Sequence, residues 1–111
     1  MRMTRRARVT LRSDPYGLHG RPCFALSNAV SGLSLILKFA REGKEFEVDA
    51  GFPVLGVMAA AAGLGLANGV SFEITCEGQD AEAAFERLRQ VFTTGHFEGS
   101  SFEPLGDLTN G

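Results

Sequence analysis

The sequence predicts an α+β fold: an open-faced two-layer sandwich with a four-stranded antiparallel sheet and three helices on one face. Four segments alternate apolar and polar residues with the period of a β-strand, so each buries only one side. Between and after them lie two segments with the spacing of amphipathic helices and one short apolar segment that Pro53 opens as a helix. The resulting order is β-α-β-β-α-β-α, which contains a split β-α-β unit and shows no internal repeat.

Length and charge limit the class of protein. The chain has 111 residues, 44% hydrophobic and 22% charged, which is typical of one globular domain with a single core. A net charge of −2 argues against a general nucleic-acid binder, and the N-terminal arginines (Arg2, Arg5, Arg6, Arg8) are interpreted as a solvated start. No apolar run approaches the ~18 residues of a membrane span, and no signal peptide is visible. We expect a cytoplasmic protein without membrane insertion.

The four predicted strands are short and separated by turn residues. They cover residues 6–12, 33–39, 45–49 and 70–76. In the first strand, Ala7, Val9 and Leu11 share the buried face. A turn at residues 41–44 joins the second and third strands into a hairpin.

Three segments are predicted to be helices. The first helix follows His19 and runs to about Val30, the second covers residues 54–62, and the third covers residues 81–93 with Asp80 as its N-cap. The second helix contains no charged residue.

The C-terminal residues are rich in Gly, Ser, Thr and Asn, with only isolated apolar residues. We therefore expect one domain over residues 1–94 and a mobile tail over residues 95–111.

Residues 17–22 read Gly-Leu-His-Gly-Arg-Pro and join the first strand to the first helix. The first turn of a helix leaves backbone amides unpaired, and together with the helix dipole these form an anion site. Gly20 and Arg21 would supply such amides, and the guanidinium of Arg21 suits phosphate. An imidazole at His19 would be a phosphoryl acceptor beside this site.

Two other interpretations of His19 stay open on the residues alone. The imidazole could simply cap the helix. It could also bind a metal with Cys23, four residues later, but no third ligand is evident, so we predict no metal site. The spacing of Cys23 and Cys76 matches no metal or redox motif, and we expect both to be reduced and buried.

Residues 17–22 resemble the active-site signature of the HPr family, the histidine phosphocarriers of the bacterial phosphoenolpyruvate:sugar phosphotransferase system. The resemblance covers about residues 7–93 and includes the family's order of strands and helices. Further matching positions are Asn28-Ala29, Gly43-Lys44, Gly56-Val57-Met58, residues 65–69 and Glu77-Gly78.

The resemblance implies a phosphocarrier in sugar uptake or its regulation. His19 would accept a phosphoryl group on Nδ1 from phospho-enzyme I and pass it to an IIA-type domain. Arg21 would steady the phosphoryl group, and the amides of Gly20 and Arg21 would hold its oxygens. Such a protein is a phosphoryl-transfer intermediate rather than a stand-alone catalyst, and we expect a monomer that needs no cofactor.

In this family the short second helix is part of the docking surface. Here its apolar residues cannot all face inward on so short a helix, which predicts a partner surface. They are Phe52, Val54, Leu55 and Met58. The alternative is that these residues pack on the sheet.

The sequence departs from the family at two functional positions. Many members carry a regulatory serine at the start of the second helix, but this chain has no Ser, Thr or Tyr between Leu35 and Val70. Gly20 also lacks the hydroxyl that is common there. An alternative function is an HPr-like regulatory module that docks through the apolar second helix, with little or no phosphoryl relay. An unrelated ligand-binding sandwich is a third possibility.

Overall fold

The computed structural model describes residues 3–12, 21–48 and 53–106. It shows an open antiparallel sheet with three helices, which confirms the predicted fold class and the predicted order of elements. The elements are β1 (Met3–Thr10), α1 (Arg21–Val30), β2 (Ile36–Arg41), β3 (Lys44–Val48), α2 (Pro53–Leu64), β4 (Ser71–Gly78), α3 (Ala81–Phe92), the 3-10 helix η1 (Gly95–Phe97) and β5 (Ser101–Pro104).

The sheet has the strand order β3-β2-β4-β1-β5, and every neighbouring pair is antiparallel. Its strands alternate as the sequence predicts: Ala7, Val9 and Leu11 are fully buried, whereas Arg8 between them is exposed. α2 lies on β3, α3 lies on β1 and β4, and α1 contacts both other helices. The core therefore lies between one face of the sheet and the helices.

The fifth strand corrects the prediction of four strands. β5 pairs with β1 from Thr10↔Ser101 to Ala7↔Pro104. Phe97 of η1 is fully buried, with its ring centroid 5.1 Å from that of Phe92. Residues 95–104 therefore contain two elements, η1 and β5, which pack against α3 and pair with β1.

The end of the predicted domain at residue 94 is not tested by these contacts and stays a prediction. Residues 107–111 of the predicted tail lie outside the described residues.

The hairpin between β2 and β3 has a two-residue turn. Glu42 (φ 52°) and Gly43 (φ 83°) both have positive φ, as in a type I′ turn, and this confirms the turn predicted at residues 41–44.

The N-cap of α3 differs from the prediction. Asp80 occupies the capping position but makes no side-chain capping hydrogen bond. Its Oδ2 instead accepts a hydrogen bond of 2.7 Å from the backbone N–H of Ser34. The carboxylate therefore joins the start of α3 to the segment before β2.

α2 is longer than predicted, from Pro53 to Leu64, and its first residue is the proline that fits a first helical turn. Its last turn is fixed by Arg41, whose Nη1 donates a 2.9 Å hydrogen bond to the carbonyl of Leu64. None of the helices in the described part of the chain has the length and apolarity that crossing a membrane requires.

Candidate functional site

The structure describes the two ends of the segment that carries His19. β1 ends at Thr10, and α1 begins at Arg21, two residues after His19. His19 and Gly20 themselves lie outside the described residues. The predicted phosphate site therefore remains a prediction, framed by Arg12 on one side and the first turn of α1 on the other.

The start of α1 has the electrostatics that an anion site needs. Its first turn contains no acidic residue, so nothing there opposes the positive end of the helix dipole. Pro22 is buried and lacks a backbone N–H, which a first-turn position does not require. The first turn is thus anchored on the core through its second residue.

Cys23 belongs to the core. Its side chain is 1% exposed, and burial raises the pKa of its thiol. Ser27 Oγ donates a 2.7 Å hydrogen bond to the Cys23 carbonyl. Cys23 and Cys76 are both buried and unpaired, which confirms the sequence prediction for them. The described residues contain no group of three potential metal ligands, and the His19–Cys23 pairing is untested.

The end of β1 is fixed from two sides. The backbone N–H of Leu11 donates to the Val70 carbonyl at 2.9 Å, and the Leu11 carbonyl accepts from the N–H of Gly69 at 2.8 Å. On the other side, the N–H of Arg12 donates to Ser100 Oγ at 2.6 Å, and the same hydroxyl donates to the Arg12 carbonyl at 2.7 Å. These four hydrogen bonds therefore fix the backbone of Leu11 and Arg12, just before the segment that carries His19.

The predicted docking residues differ in their exposure. Leu55 is 67% exposed and Met58 is 49% exposed, whereas Val54 is half-buried. Phe52 lies outside the described residues.

The sequence prediction missed Phe24 on α1, which is 59% exposed. Its signal was available: Phe24 lies two residues after Pro22 and two before Leu26, so it falls off the buried stripe of α1. A bulky aromatic residue on the polar side of an amphipathic helix is unusual enough to mark a surface.

Three of the four exposed large apolar side chains in the described residues lie on α1 and α2, which pack against each other. We name Phe24, Leu55 and Met58 the α1–α2 apolar face. Exposed apolar residues concentrated on two adjacent helices are typical of a protein interaction surface.

Cavities of about 240 Å³ and 300 Å³ lie beside Arg41 and Glu42, near the β2–β3 hairpin. No predicted site residue lines either of them. These cavities therefore add no support to the phosphate site.

The comparisons with known proteins agree with the fold. The family model described as "PTS HPr component phosphorylation site" matches residues 6–94. Phosphocarrier protein HPr of Lysinibacillus sphaericus is 32% identical over 80 residues, which cover 72% of this chain and 83% of that protein. β5 lies after the matched segment.

Solved structures give the same result. The crystal structure of a phosphocarrier protein HPr from Bacillus anthracis aligns with a TM-score of 0.60 at 27% identity, covering 79% of this chain and 95% of the other. The histidine-containing phosphocarrier protein of a Mycoplasma aligns with a TM-score of 0.60 at 22% identity, covering 78% and 91%, and supports the fold alone. The chain thus belongs to the HPr family of phosphocarrier proteins of the bacterial phosphotransferase system.

Proposed function

We propose that this protein carries phosphoryl groups on His19. It takes them from phospho-enzyme I and passes them to an IIA-type domain in the cytoplasm, in sugar uptake or its regulation. The observation that carries the proposal is the Gly-Leu-His-x-Arg-Pro sequence, whose last two residues open α1 in a chain of the HPr family.

The chemical step needs little beyond positioning. The lone pair on Nδ1 of the neutral imidazole attacks phosphorus, a Nδ1–P bond forms, and the bond from phosphorus to its donor atom on enzyme I breaks. Transfer to the IIA-type domain reverses these roles. Because the group must leave again, an exposed and lightly held site suits a carrier better than a deep pocket.

Arg21 and the amides of Gly20 and Arg21 hold the phosphoryl oxygens in this proposal. The absence of acidic residues from the first turn of α1 supports it, because no carboxylate in that turn repels an anion at the positive end of the helix. The partners dock on the α1–α2 apolar face, which lies on the helix that begins beside His19 and on its neighbour.

Phosphorylation with a purified enzyme I and labelled phosphoenolpyruvate tests the proposal. We expect one acid-labile, base-stable phosphate on the wild type and none on His19→Ala. The chain has only two histidines, so His96→Ala is the matched control and should label like the wild type. Label that persists on His19→Ala contradicts the assignment of the site.

The second candidate function is a regulatory docking module with little or no relay. The α1–α2 apolar face favours it, since that surface would bind a partner whether or not His19 is phosphorylated. Wild-type protein that binds enzyme I in titration calorimetry but takes no label would favour this candidate over the carrier.

A further inference from the structure

We infer that Ser100 is a positioning residue for the segment that carries His19, an inference that rests on the proposed function. Ser100 belongs to residues 95–104, which we name the C-terminal segment. This segment follows the part of the chain that matches the HPr family model, residues 6–94. It contacts the chain on both sides of residues 13–20.

The first contact is the pair of hydrogen bonds to Arg12, the last described residue before this segment. One hydroxyl accepts from the Arg12 N–H at 2.6 Å and donates to the Arg12 carbonyl at 2.7 Å. β5 pairs with β1 only as far as Thr10, so Arg12 receives no bond from that ladder. Ser100 thus restrains both peptide groups that flank the Arg12 Cα, and with them the direction in which the chain leaves the sheet.

Ser100 can do this because its own position is well fixed. Its backbone N–H donates to the Phe97 carbonyl at 2.9 Å, and the Phe97 side chain is fully buried. The next residue, Ser101, is already paired with Thr10 in the sheet. The Ser100 hydroxyl is therefore held in place by buried Phe97 on one side and by strand β5 on the other.

The second contact is with the helix that follows residues 13–20. η1 packs against α1, which begins at Arg21, two positions after His19. The C-terminal segment consequently links the chain before His19 to the helix after it. In-line phosphoryl transfer is sensitive to displacements of about 1 Å, so both anchors bear on its rate.

Ser100→Ala removes both hydrogen bonds at an exposed hydroxyl and tests the inference. We expect kcat/KM for transfer from enzyme I to fall about tenfold. Ser100→Thr, which keeps a hydroxyl, should recover most of the rate. Ser71→Ala is the control, because it removes the 2.8 Å hydroxyl pair with Thr10 at the same end of β1 without touching Arg12; it should transfer like the wild type.

Amide hydrogen exchange gives a readout that does not depend on transfer. We expect faster exchange at residues 12–20 in Ser100→Ala than in the wild type or Ser71→Ala, together with a changed His19 imidazole titration by NMR. Unchanged exchange, titration and transfer in Ser100→Ala would overturn the inference. If enzyme I does not label the wild type, the proposed function fails, and the exchange comparison alone decides the role of Ser100.

Discussion

The ring of Phe46 fills the space that a side chain at Gly63 would need. A Cβ built on Gly63 would overlap Cζ of Phe46 and lie 2.7 Å from its Cε1. Gly56, two turns earlier on α2, approaches β3 in the same way: a Cβ there would lie 2.8 Å from Cγ1 of Val48. α2 therefore rests on β3 along a line of glycines that allows close approach.

Gly63→Ala should lower the free energy of unfolding by up to about 2 kcal/mol. Displacing the Phe46 ring costs about 1–3 kcal/mol, and alanine in place of glycine recovers at most about 1 kcal/mol of helix propensity. Urea denaturation of the two proteins measures the difference.

The control is the same substitution in a Phe46→Ala background. Without the ring, Gly63→Ala should stabilise the protein through helix propensity. A stabilising effect in the wild-type background would show that the Phe46 ring moves aside at no cost.

The sequence predicted the fold well where the signal is local. Strand alternation and helical spacing depend on neighbouring residues, so the order of elements and the inward faces of β1 and α1 were predicted correctly. Gly63 shows the limit. Glycine alone suggests the end of a helix, and the sequence prediction began a loop there, whereas the structure continues α2 to Leu64. The glycine is explained by the ring of Phe46 on β3, which occupies the space of a side chain at residue 63.

β5 and Phe24 were missed for different reasons. Phe97 and Phe102 have no periodic neighbours in the sequence, and their burial depends on α3 and β1. Phe24 was visible as an aromatic residue off the buried stripe, but its importance depends on α2 packing beside α1. Of the predicted site, the start of α1 and the exposure of Leu55 and Met58 are now described, while the placement of His19 stays a prediction.

Phe97→Ala tests whether the C-terminal segment is part of the core. The side chain is fully buried against Phe92, so truncation should cost about 3–5 kcal/mol of unfolding free energy. Glu98→Ala, at an exposed neighbouring position, should change stability by less than about 0.5 kcal/mol. Equal, small effects in both variants would favour the prediction that these residues form a tail.

Cys76 should make the protein less stable in alkali. Burial raises the pKa of its thiol to about 12, although the positive charge of Arg5 lowers it in part. Between about pH 9 and 12 the native state keeps a proton that the unfolded state has lost, so stability falls as pH rises, by up to about 1.4 kcal/mol per pH unit.

Comparison with Cys76→Ala isolates this effect from other groups that titrate in alkali. The stability of the wild type should decline more steeply than that of the variant above pH 9, while the two profiles run parallel at neutral pH. Parallel profiles throughout would show that the native thiol ionises as readily as the unfolded one.

Serine-kinase control of the kind found in many HPr proteins should be absent. No hydroxyl side chain occurs between Leu35 and Val70, and α2 begins at Pro53. Incubation with an HPr serine kinase and ATP should leave this part of the chain unmodified in peptide mass spectrometry. A kinase-competent HPr is the positive control, and a phosphopeptide that includes residues 36–69 would contradict the prediction.

Phe24 should contribute to docking without contributing to the stability of the fold. At 59% exposure its ring contributes little to the core, and it lies on α1, which packs against the helix that carries the exposed Leu55 and Met58. With enzyme I as the phosphoryl donor and this protein as the acceptor, Phe24→Ala should raise the KM for the acceptor about tenfold at unchanged kcat. Its free energy of unfolding should stay within about 0.5 kcal/mol of the wild type. Enzyme I kinetics and urea denaturation measure the two quantities.

Met3→Ala is the matched control for loss of exposed apolar area. Met3 is 42% exposed but lies on β1 rather than on α1 or α2. The Met3→Ala substitution should leave this KM unchanged, because a docking surface loses affinity only when a residue within it is truncated. A KM that rises equally in both variants would mean that general surface apolarity decides binding, and an unchanged KM in Phe24→Ala would place the docking surface elsewhere.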